Sequence, residues 1–284
     1  MRFGDSPESD NFEDRTGQSG GGGLSLGGAG GGVLGLLAQF VISRFGLAGL
    51  AILALGYCAL TQFGGGGMLG GGSTQSGPSK LDPATGKFMR QVLGSTEQVW
   101  GQIFTQAGAR YTPTRLVAYT DYNQSGCGAA QAAMGPFYCP TDKQIYIDPA
   151  FFNELSRRFG APGDFAQAYV IAHEVGHHIQ DLEGTLDKAQ SAQARIGKAE
   201  GNAVQVGVEL QADCYAGVWA KRSGALEQGD IEEGMRAAEA IGDDMLTKGQ
   251  VSPDNFTHGT SAQRMEALRK GLTTGDPAQC NYAR

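Results

Sequence analysis

The sequence has little positive charge and few cysteines, and both shortages exclude classes of protein. Of its 284 residues, 22 are Lys or Arg and 29 are Asp or Glu, which gives a formal net charge of −7. No basic patch and no alternation of basic and aromatic residues is present, so we do not expect a nucleic acid partner. The cysteines form no C-x-x-C pair, which argues against a zinc site built from cysteines.

The cysteines that do occur favour disulfide bonds. Four of the five follow residue 80, an even number of the kind expected in an oxidising compartment. Three connectivities are possible. We favour Cys127–Cys139, which are close in sequence, and Cys214–Cys280, which would fasten the C-terminus to a helix. Free buried thiols are the alternative.

Glycine is abundant and concentrated in the first quarter of the chain. Residues 17–32 are nearly all Gly and Ser, and further glycine tracts follow residue 63. Such segments bury too little apolar surface to offset the entropy lost on ordering. We therefore predict a disordered polar and Gly-rich tail over residues 1–32, a linker over 64–79, and one folded domain over 80–284.

One long apolar segment, residues 33–63, lies between the glycine tracts. Its only charge is Arg44, and residues 45–63 form an uncharged run of 19 residues, about the length of a spanning helix. A buried core helix and a cleaved signal peptide are the alternatives. The flanking linkers leave no domain to bury a core helix, and no A-x-A cleavage site follows. We predict one transmembrane helix in the inner membrane. The large domain would lie on the extracytoplasmic (periplasmic) side, because Arg2, Arg15 and Arg44 precede the uncharged run and the first lysine after it is Lys80.

The folded domain reads as short strands followed by helices, which predicts the α+β class. Alternating or apolar runs predict strands at 115–120, 135–139 and 144–148. Helical spacing predicts helices at 80–106, 150–159, 164–182, 187–199, 203–222, 228–248 and 261–270.

The stretch "AHEVGHHIQDL", residues 172–182, holds three of the four histidines. His173 and His177 are four residues apart, so on a helix they share one face and can reach one Zn²⁺. Glu174 lies beside that metal, where it can take a proton from a bound water and deliver it to a leaving amine. His178 is turned about 140° from His173, which makes it a surface residue or one that supports the ligands. A surface helix with clustered histidines is the alternative.

A catalytic zinc usually has three protein ligands, and no histidine lies between the motif and His258. The third ligand is therefore a carboxylate or His258. The apolar stretch "VELQADCYAGVWA" carries Glu209 and Asp213, and burying unpaired carboxylates is costly. Glu209 as ligand, with Asp213 accepting from a ligand histidine, would satisfy both; a salt bridge to an arginine is the alternative. Weaker candidates lie in the turn after the motif: Asp181 and Glu183.

Three motifs together resemble one family. H-E-V-G-H-H-I-Q-D, E-L-Q-A-D-C and H-G-T-S-A-Q-R, together with a polar N-terminal "ESDNFEDR", are similar to the bacterial putative neutral zinc metallopeptidases over essentially the whole chain. The resemblance implies a zincin-like fold of the glutamate-ligand (gluzincin) type. It implies His173, His177 and Glu209 as ligands and Glu174 as base. The glycine tracts and the long apolar segment are this chain's own.

Two residues of the third motif have open roles. His258 could stabilise the oxyanion formed when water attacks a peptide carbonyl, or it could be a capping or structural histidine paired with a carboxylate. We interpret Arg264 as structural, holding Asp213 or a neighbouring loop. The predicted strand "GPFYC" could hold an extended peptide along its edge.

Taken together, the residues predict a zinc-dependent metalloendopeptidase. It would hydrolyse peptide or protein substrates through a zinc-bound water activated by Glu174. The alternative is a membrane-tethered zinc-binding scaffold or binding protein without turnover. Glu174 favours the enzyme, because a structural zinc site does not need a carboxylate there.

Overall fold

The computed structural model describes residues 1–4, 6–18, 77–131 and 134–283. The predicted membrane segment, residues 33–63, lies outside these ranges, as do most of the predicted glycine-rich tail and linker. Within the described ranges, no helix is both long enough and apolar enough to cross a bilayer.

In the described ranges, six short strands form a four-stranded sheet and a separate hairpin. The strands are β1 (Phe12–Asp14), β2 (Arg115–Ala118), β3 (Tyr122–Ser125), β4 (Gly128–Gln131), β5 (Phe137–Cys139) and β6 (Gln144–Ile147). The sheet has the order β1-β2-β6-β5, in which β1, β2 and β6 are parallel and β5 is antiparallel to β6. The inner strands β2 and β6 are almost fully buried, which explains their continuous apolar runs. Strands β3 and β4 pair only with each other.

The rest of the described chain is mainly helical. The helices are α1 (Pro83–Gln106), α2 (Ala150–Arg157), α3 (Asp164–Leu182), α4 (Thr185–Gln193), α5 (Lys198–Ser223), α6 (Asp230–Ala240), α7 (Asp243–Leu246) and α8 (Ser261–Thr274). The predicted mixed α+β class is confirmed.

Helices α3 and α5 approach each other closely because one residue at their contact has no side chain. A Cβ placed on Gly176 of α3 would lie 3.0 Å from both the Cα and the carbonyl oxygen of Ala212 in α5. The flanking residues Ala172, Val175 and Ala212 are buried as well. The two helices are therefore closely packed at this point.

Two disulfide bonds cross-link the described chain, one within its β part and one near its C-terminus. The structure contains Cys127–Cys139, with Cα atoms 5.8 Å apart, and Cys214–Cys280, with Cα atoms 5.6 Å apart. The first joins the hairpin to the end of β5, and the second joins α5 to the C-terminal segment. The favoured pairing is confirmed over the other two connectivities and over free thiols.

The prediction of a disordered tail over residues 1–32 is wrong for residues 1–18. Strand β1 pairs in parallel with β2, and Met1 and Phe3 are buried in the main core. Composition suggested disorder because this stretch is polar on average. Its few apolar side chains nevertheless pack against the helices and the sheet. The number of apolar residues within the stretch cannot predict such contacts.

This packing also joins the N-terminal segment to the start of the domain. The Gly77 N–H donates to the Gly17 carbonyl oxygen at 2.9 Å, and the Lys80 N–H donates to the Thr16 hydroxyl at 3.0 Å. The single pass through a membrane and the side on which the domain lies stay predictions.

Candidate metal centre

The histidine motif lies in the buried middle of helix α3. Asp164 in its first turn opposes the positive end of the helix dipole, and Gly184, with φ of 72°, adopts the left-handed conformation just after its last residues. His173 and His177 lie one turn apart on the face of α3 that packs against α5. Their ring centroids are 4.7 Å apart and their planes are nearly perpendicular, at 86°. Both rings can therefore offer one nitrogen to a common point.

Helix α5 brings Glu209 to the two imidazoles. One carboxylate oxygen lies 3.2 Å from Nε2 of His173, and the other lies 3.6 Å from Nε2 of His177. One ligand atom from each of the three residues lies within 4.8 Å of the others. The structure thus brings together the three residues predicted as ligands, although Glu209 lies on a different helix from His173 and His177.

The three donors fit a zinc ion. A tetrahedral Zn²⁺ with N and O ligands at about 2.0–2.2 Å separates its ligands by about 3.4 Å, close to the spacings observed here. Two imidazole nitrogens and one carboxylate oxygen form a donor set that zinc enzymes use, with one position open to a cavity. His173, His177 and Glu209 would therefore hold the ion.

Asp213 fixes the orientation of His173. Its side chain is fully buried, and its Oδ1 lies 2.8 Å from Nδ1 of His173. Arg264 donates to both carboxylate oxygens, at 2.8 and 2.9 Å, and the Tyr169 hydroxyl donates at 2.5 Å. Burial alone would raise the pKa of Asp213, but the charges of Arg264 and His173 hold it below its usual range. An ionised acceptor at Nδ1 leaves Nε2 free to face the metal position.

The second histidine has a partner that the sequence analysis missed. Nδ1 of His177 lies 2.8 Å from Oε1 of Gln180, one turn along α3. The Gln180 amide in turn donates to the Val208 carbonyl at 2.7 Å and to Oε1 of Gln211 at 3.0 Å. The available signal was a glutamine three residues after a ligand on the same helix.

Glu209 is kept charged by the residues around it. Burial would raise the pKa of this carboxyl, but the imidazoles of His177 and His173 lower it well below its usual range. The Gln205 amide also donates to Glu209 Oε1 at 3.1 Å.

His178 lies away from the metal ligands, and it is buried rather than on the surface. Its Nε2 lies 2.7 Å from the Thr112 carbonyl oxygen, and its Nδ1 lies 3.1 Å from the Tyr138 hydroxyl. That hydroxyl donates to Asp181 at 2.8 Å. Burial lowers the pKa of His178. Because Tyr138 belongs to β5, His178 ties that strand to α3.

His258 is paired with a carboxylate, as its predicted structural role requires. Its Nδ1 lies 3.1 Å from Oδ1 of Asp243, and the same carboxylate accepts from the His258 backbone N–H at 2.7 Å. The imidazole also lines the cavity that contains Glu174 and the ligands. It is therefore paired with a carboxylate and able to meet a substrate. It is not among the three clustered ligand residues.

A cavity of about 680 Å³ opens in front of the centre. Glu174 lines it, together with apolar side chains that include Phe137, Phe159 and Leu186. Strand β5 contributes Tyr138 as well, so the sheet edge forms one wall. An elongated molecule in this cavity would contact the strand edge and the carboxylate together.

Comparisons with known proteins agree with this site. The family model described as "Putative neutral zinc metallopeptidase" matches residues 1–283. "Uncharacterized protein YpfJ" of Escherichia coli (strain K12) is 45% identical over 294 residues, covering 99% of this chain and 98% of that protein. "Uncharacterized protein Rv2575" of Mycobacterium tuberculosis (strain ATCC 25618 / H37Rv) is 40% identical over 205 residues, covering 66% of this chain and 67% of that protein. No solved structure gives a significant match.

Proposed function

Because the chain belongs to the family of putative neutral zinc metallopeptidases, we propose that it is a zinc-dependent metalloendopeptidase with a gluzincin-like fold. The observation that carries the proposal is the position of Glu174. This carboxylate follows the first ligand, is buried at 6% exposure, and faces the cavity. Among the described residues it has no hydrogen-bond or ion-pair partner, so it is available to a water molecule or a substrate.

Different residues of the chain would have different roles in hydrolysis. Zn²⁺ at His173, His177 and Glu209 would supply a Lewis acid that polarises a peptide carbonyl and lowers the pKa of water. Glu174 takes the proton from the attacking water and passes it to the leaving amine. His258, at the cavity wall, can donate a hydrogen bond to the developing oxyanion while Asp243 orients its ring.

The edge of β5 supports a peptide or protein substrate. One side of β5 pairs with β6, and its other side pairs with no strand in the described part of the chain. An extended peptide can add there as a further strand, with backbone hydrogen bonds that tolerate many sequences. The Cys127–Cys139 bond and the contact of Tyr138 with His178 keep this edge in place.

The rival proposal is a zinc-binding scaffold without turnover. It accounts for the three ligands and for the support that Asp213 and Gln180 give them. It gives no reason for a buried carboxylate at position 174 that faces a cavity instead of a partner. Removing such a group from water costs free energy, which a catalytic role explains.

Metal removal separates the two proposals. We expect the zinc-loaded chain to cleave an unfolded protein such as casein, a strong chelator to abolish cleavage, and stoichiometric Zn²⁺ to restore it. A His177→Ala variant treated identically serves as control and should stay inactive after zinc is returned. If the zinc-loaded chain did not cleave casein or peptide libraries at all, the scaffold would be the better proposal.

We also propose that residues 33–63 attach the domain to a membrane and that the domain lies on its extracytoplasmic side. The uncharged apolar run supports attachment. Two disulfide bonds in the described chain support an oxidising compartment.

A further inference from the structure

Helix α4 forms part of the cavity wall although it has no buried residue. None of the side chains of Thr185–Gln193 is buried. Gly184, with φ of 72°, adopts the left-handed conformation and separates this helix from α3. Several residues of α4 nevertheless line the cavity in front of the metal centre: Leu186, Asp187, Ala189, Gln190 and Gln193. Because α4 has no core residues of its own, its contacts with neighbouring helices fix where this wall lies.

Gln193, the last residue of α4, attaches the helix to α5. Its side-chain amide donates to the Gly201 carbonyl oxygen at 3.0 Å and to Oε1 of Gln205 at 3.3 Å. A Cβ placed on Gly201 would lie 3.8 Å from Cγ of Gln193, an ordinary van der Waals contact. The end of α4 is therefore both packed against the first turns of α5 and hydrogen-bonded to them.

Gln205 connects this contact to the third metal ligand. Its Nε2 donates to Oε1 of Glu209 at 3.1 Å. The two residues are four apart on α5, so their side chains lie on one face of the helix. The other oxygen of Glu209, Oε2, lies 3.2 Å from Nε2 of His173, the ring nitrogen that the Asp213 contact leaves free for the metal. Gln205 therefore binds one oxygen of Glu209 and leaves the other beside a ligand nitrogen.

The orientation of the Gln205 amide depends on Gln193. An amide side chain has a donor end and an acceptor end of nearly the same shape, and the acceptor end of Gln205 would oppose the Glu209 carboxylate. The orientation of Gln193 is settled by the Gly201 carbonyl oxygen, which can only accept a hydrogen bond. Gln193 then donates to the carbonyl end of Gln205 and leaves the N–H groups of Gln205 for Glu209.

We propose that Gln205 is a positioning residue for Glu209 and that Gln193 orients Gln205. Hydrogen bonds would then connect the cavity wall at α4 to the third ligand through two neutral side chains. A carboxylate that is already held in place loses less freedom when it binds an ion, so this support strengthens zinc binding. The inference rests on the zinc site of the proposed function, but its test does not depend on peptidase activity.

Zinc affinity of the full chain, measured by competition with a chromophoric chelator, tests both roles. Gln205→Met and Gln193→Met keep a long, flexible side chain and remove its amide. We expect Gln205→Met to weaken zinc binding about tenfold or more, as the loss of other partners of metal ligands does. Gln193→Met should weaken it about threefold, the effect of one neutral hydrogen bond. In the cobalt-loaded chain, Gln205→Met should also shift the visible absorption spectrum, which reports the ligand geometry.

Gln98→Met is the matched control. Gln98 is an exposed residue of α1 whose side chain makes no hydrogen bond to a described residue, and it does not line the cavity. This variant should bind zinc and cobalt like the parent. None of the three glutamines is fully buried, so the unfolding midpoints of all the zinc-free variants should stay within about 2 °C of the parent.

The double variant tests whether Gln193 acts through Gln205. We expect Gln193→Met to cause no further loss of zinc affinity once Gln205→Met is present. An equal loss in both backgrounds would refute this part of the proposal, since the contact of Gln193 with Gly201 does not depend on Gln205.

The remaining outcomes separate this inference from the proposed function. A Gln205→Met chain that binds zinc as tightly as Gln98→Met, or whose cobalt spectrum equals that of the parent, would refute the positioning role. A parent chain that binds no zinc would overturn the metal centre and this inference together. A parent chain that binds zinc with the expected order of affinities but cleaves nothing would contradict only the proposed peptidase.

Discussion

At the scale of single residues, each ligand histidine depends on a partner that fixes its ring. Asp213 accepts from His173, and Gln180 accepts from His177. The sequence predicted the first partner because an acidic residue on an apolar helix would be buried, and a buried carboxylate needs a partner. It did not predict the second, because a neutral glutamine carries no comparable burial penalty and its contact becomes visible only when α3 and α5 are placed together.

Asp213→Asn tests this support. The amide keeps the shape but removes the charge that orients His173 and balances the buried Arg264. We expect zinc affinity to fall about 10–100-fold and the unfolding midpoint to drop. Zinc titration and thermal unfolding measure the two effects.

Asp254→Asn is the matched control for that substitution. Asp254 is exposed, and its side chain makes no hydrogen bond to a described residue. This variant should bind zinc and unfold like the parent. An Asp213→Asn variant indistinguishable from it in both measurements would refute the orienting role.

At the scale of elements, the centre depends on how closely α3 and α5 approach. Gly176 lies one residue before His177, and Ala212 lies one residue before Asp213, so any separation of the helices at this contact shifts ligands and partners together. The glycine thus links helix packing to metal geometry.

Gly176→Ala should loosen this contact. A Cβ 3.0 Å from backbone atoms of Ala212 requires the helices to move. We expect a destabilisation of about 1–3 kcal/mol, as for other overpacked cores, together with weaker zinc binding.

Gly101→Ala, in α1, is the matched control for Gly176→Ala. No heavy atom lies within 4 Å of a Cβ placed there, so the change should stabilise the chain slightly through helix propensity. Denaturant unfolding of both variants checks the prediction, and equal behaviour of the pair would contradict it.

The sequence predicted the longest elements well and the shortest ones poorly. Helix α3 begins and ends at the predicted residues, since its periodicity is strong and Gly184 follows it. The predicted helix at 228–248 is instead two helices, α6 and α7. Strands β1, β3 and β4 were missed. Each has three or four residues, and pairing distant in sequence decides whether β1 exists at all.

At the scale of the whole molecule, residues 1–18 are part of the folded domain that carries the candidate metal centre. They lie against α1, β2 and the starts of α3 and α6, while residues 17 and 77 are hydrogen-bonded to each other. Residues 17 and 77 therefore lie side by side in the described part of the chain. Composition could not predict this, because the contacts join segments more than 60 residues apart.

Thiol labelling in intact cells tests this arrangement. Single cysteines at two exposed positions, Asp10→Cys and Lys188→Cys, are introduced in a Cys58→Ser background. We expect a membrane-impermeant reagent to label both or neither, because both positions belong to one folded unit. Labelling of one position alone would show that the N-terminal segment and the domain lie on opposite sides.

The most direct measurement of the proposed peptidase compares parent and Glu174→Gln for both zinc content and cleavage rate. The glutamine keeps the shape and leaves His173, His177 and Glu209 intact, so we expect unchanged zinc stoichiometry and an unchanged unfolding midpoint. Cleavage of casein should fall by about 10²–10⁴-fold or more, because the proton acceptor is gone. A Glu174→Gln chain that retains zinc and cleaves at the parent rate would contradict the proposed mechanism.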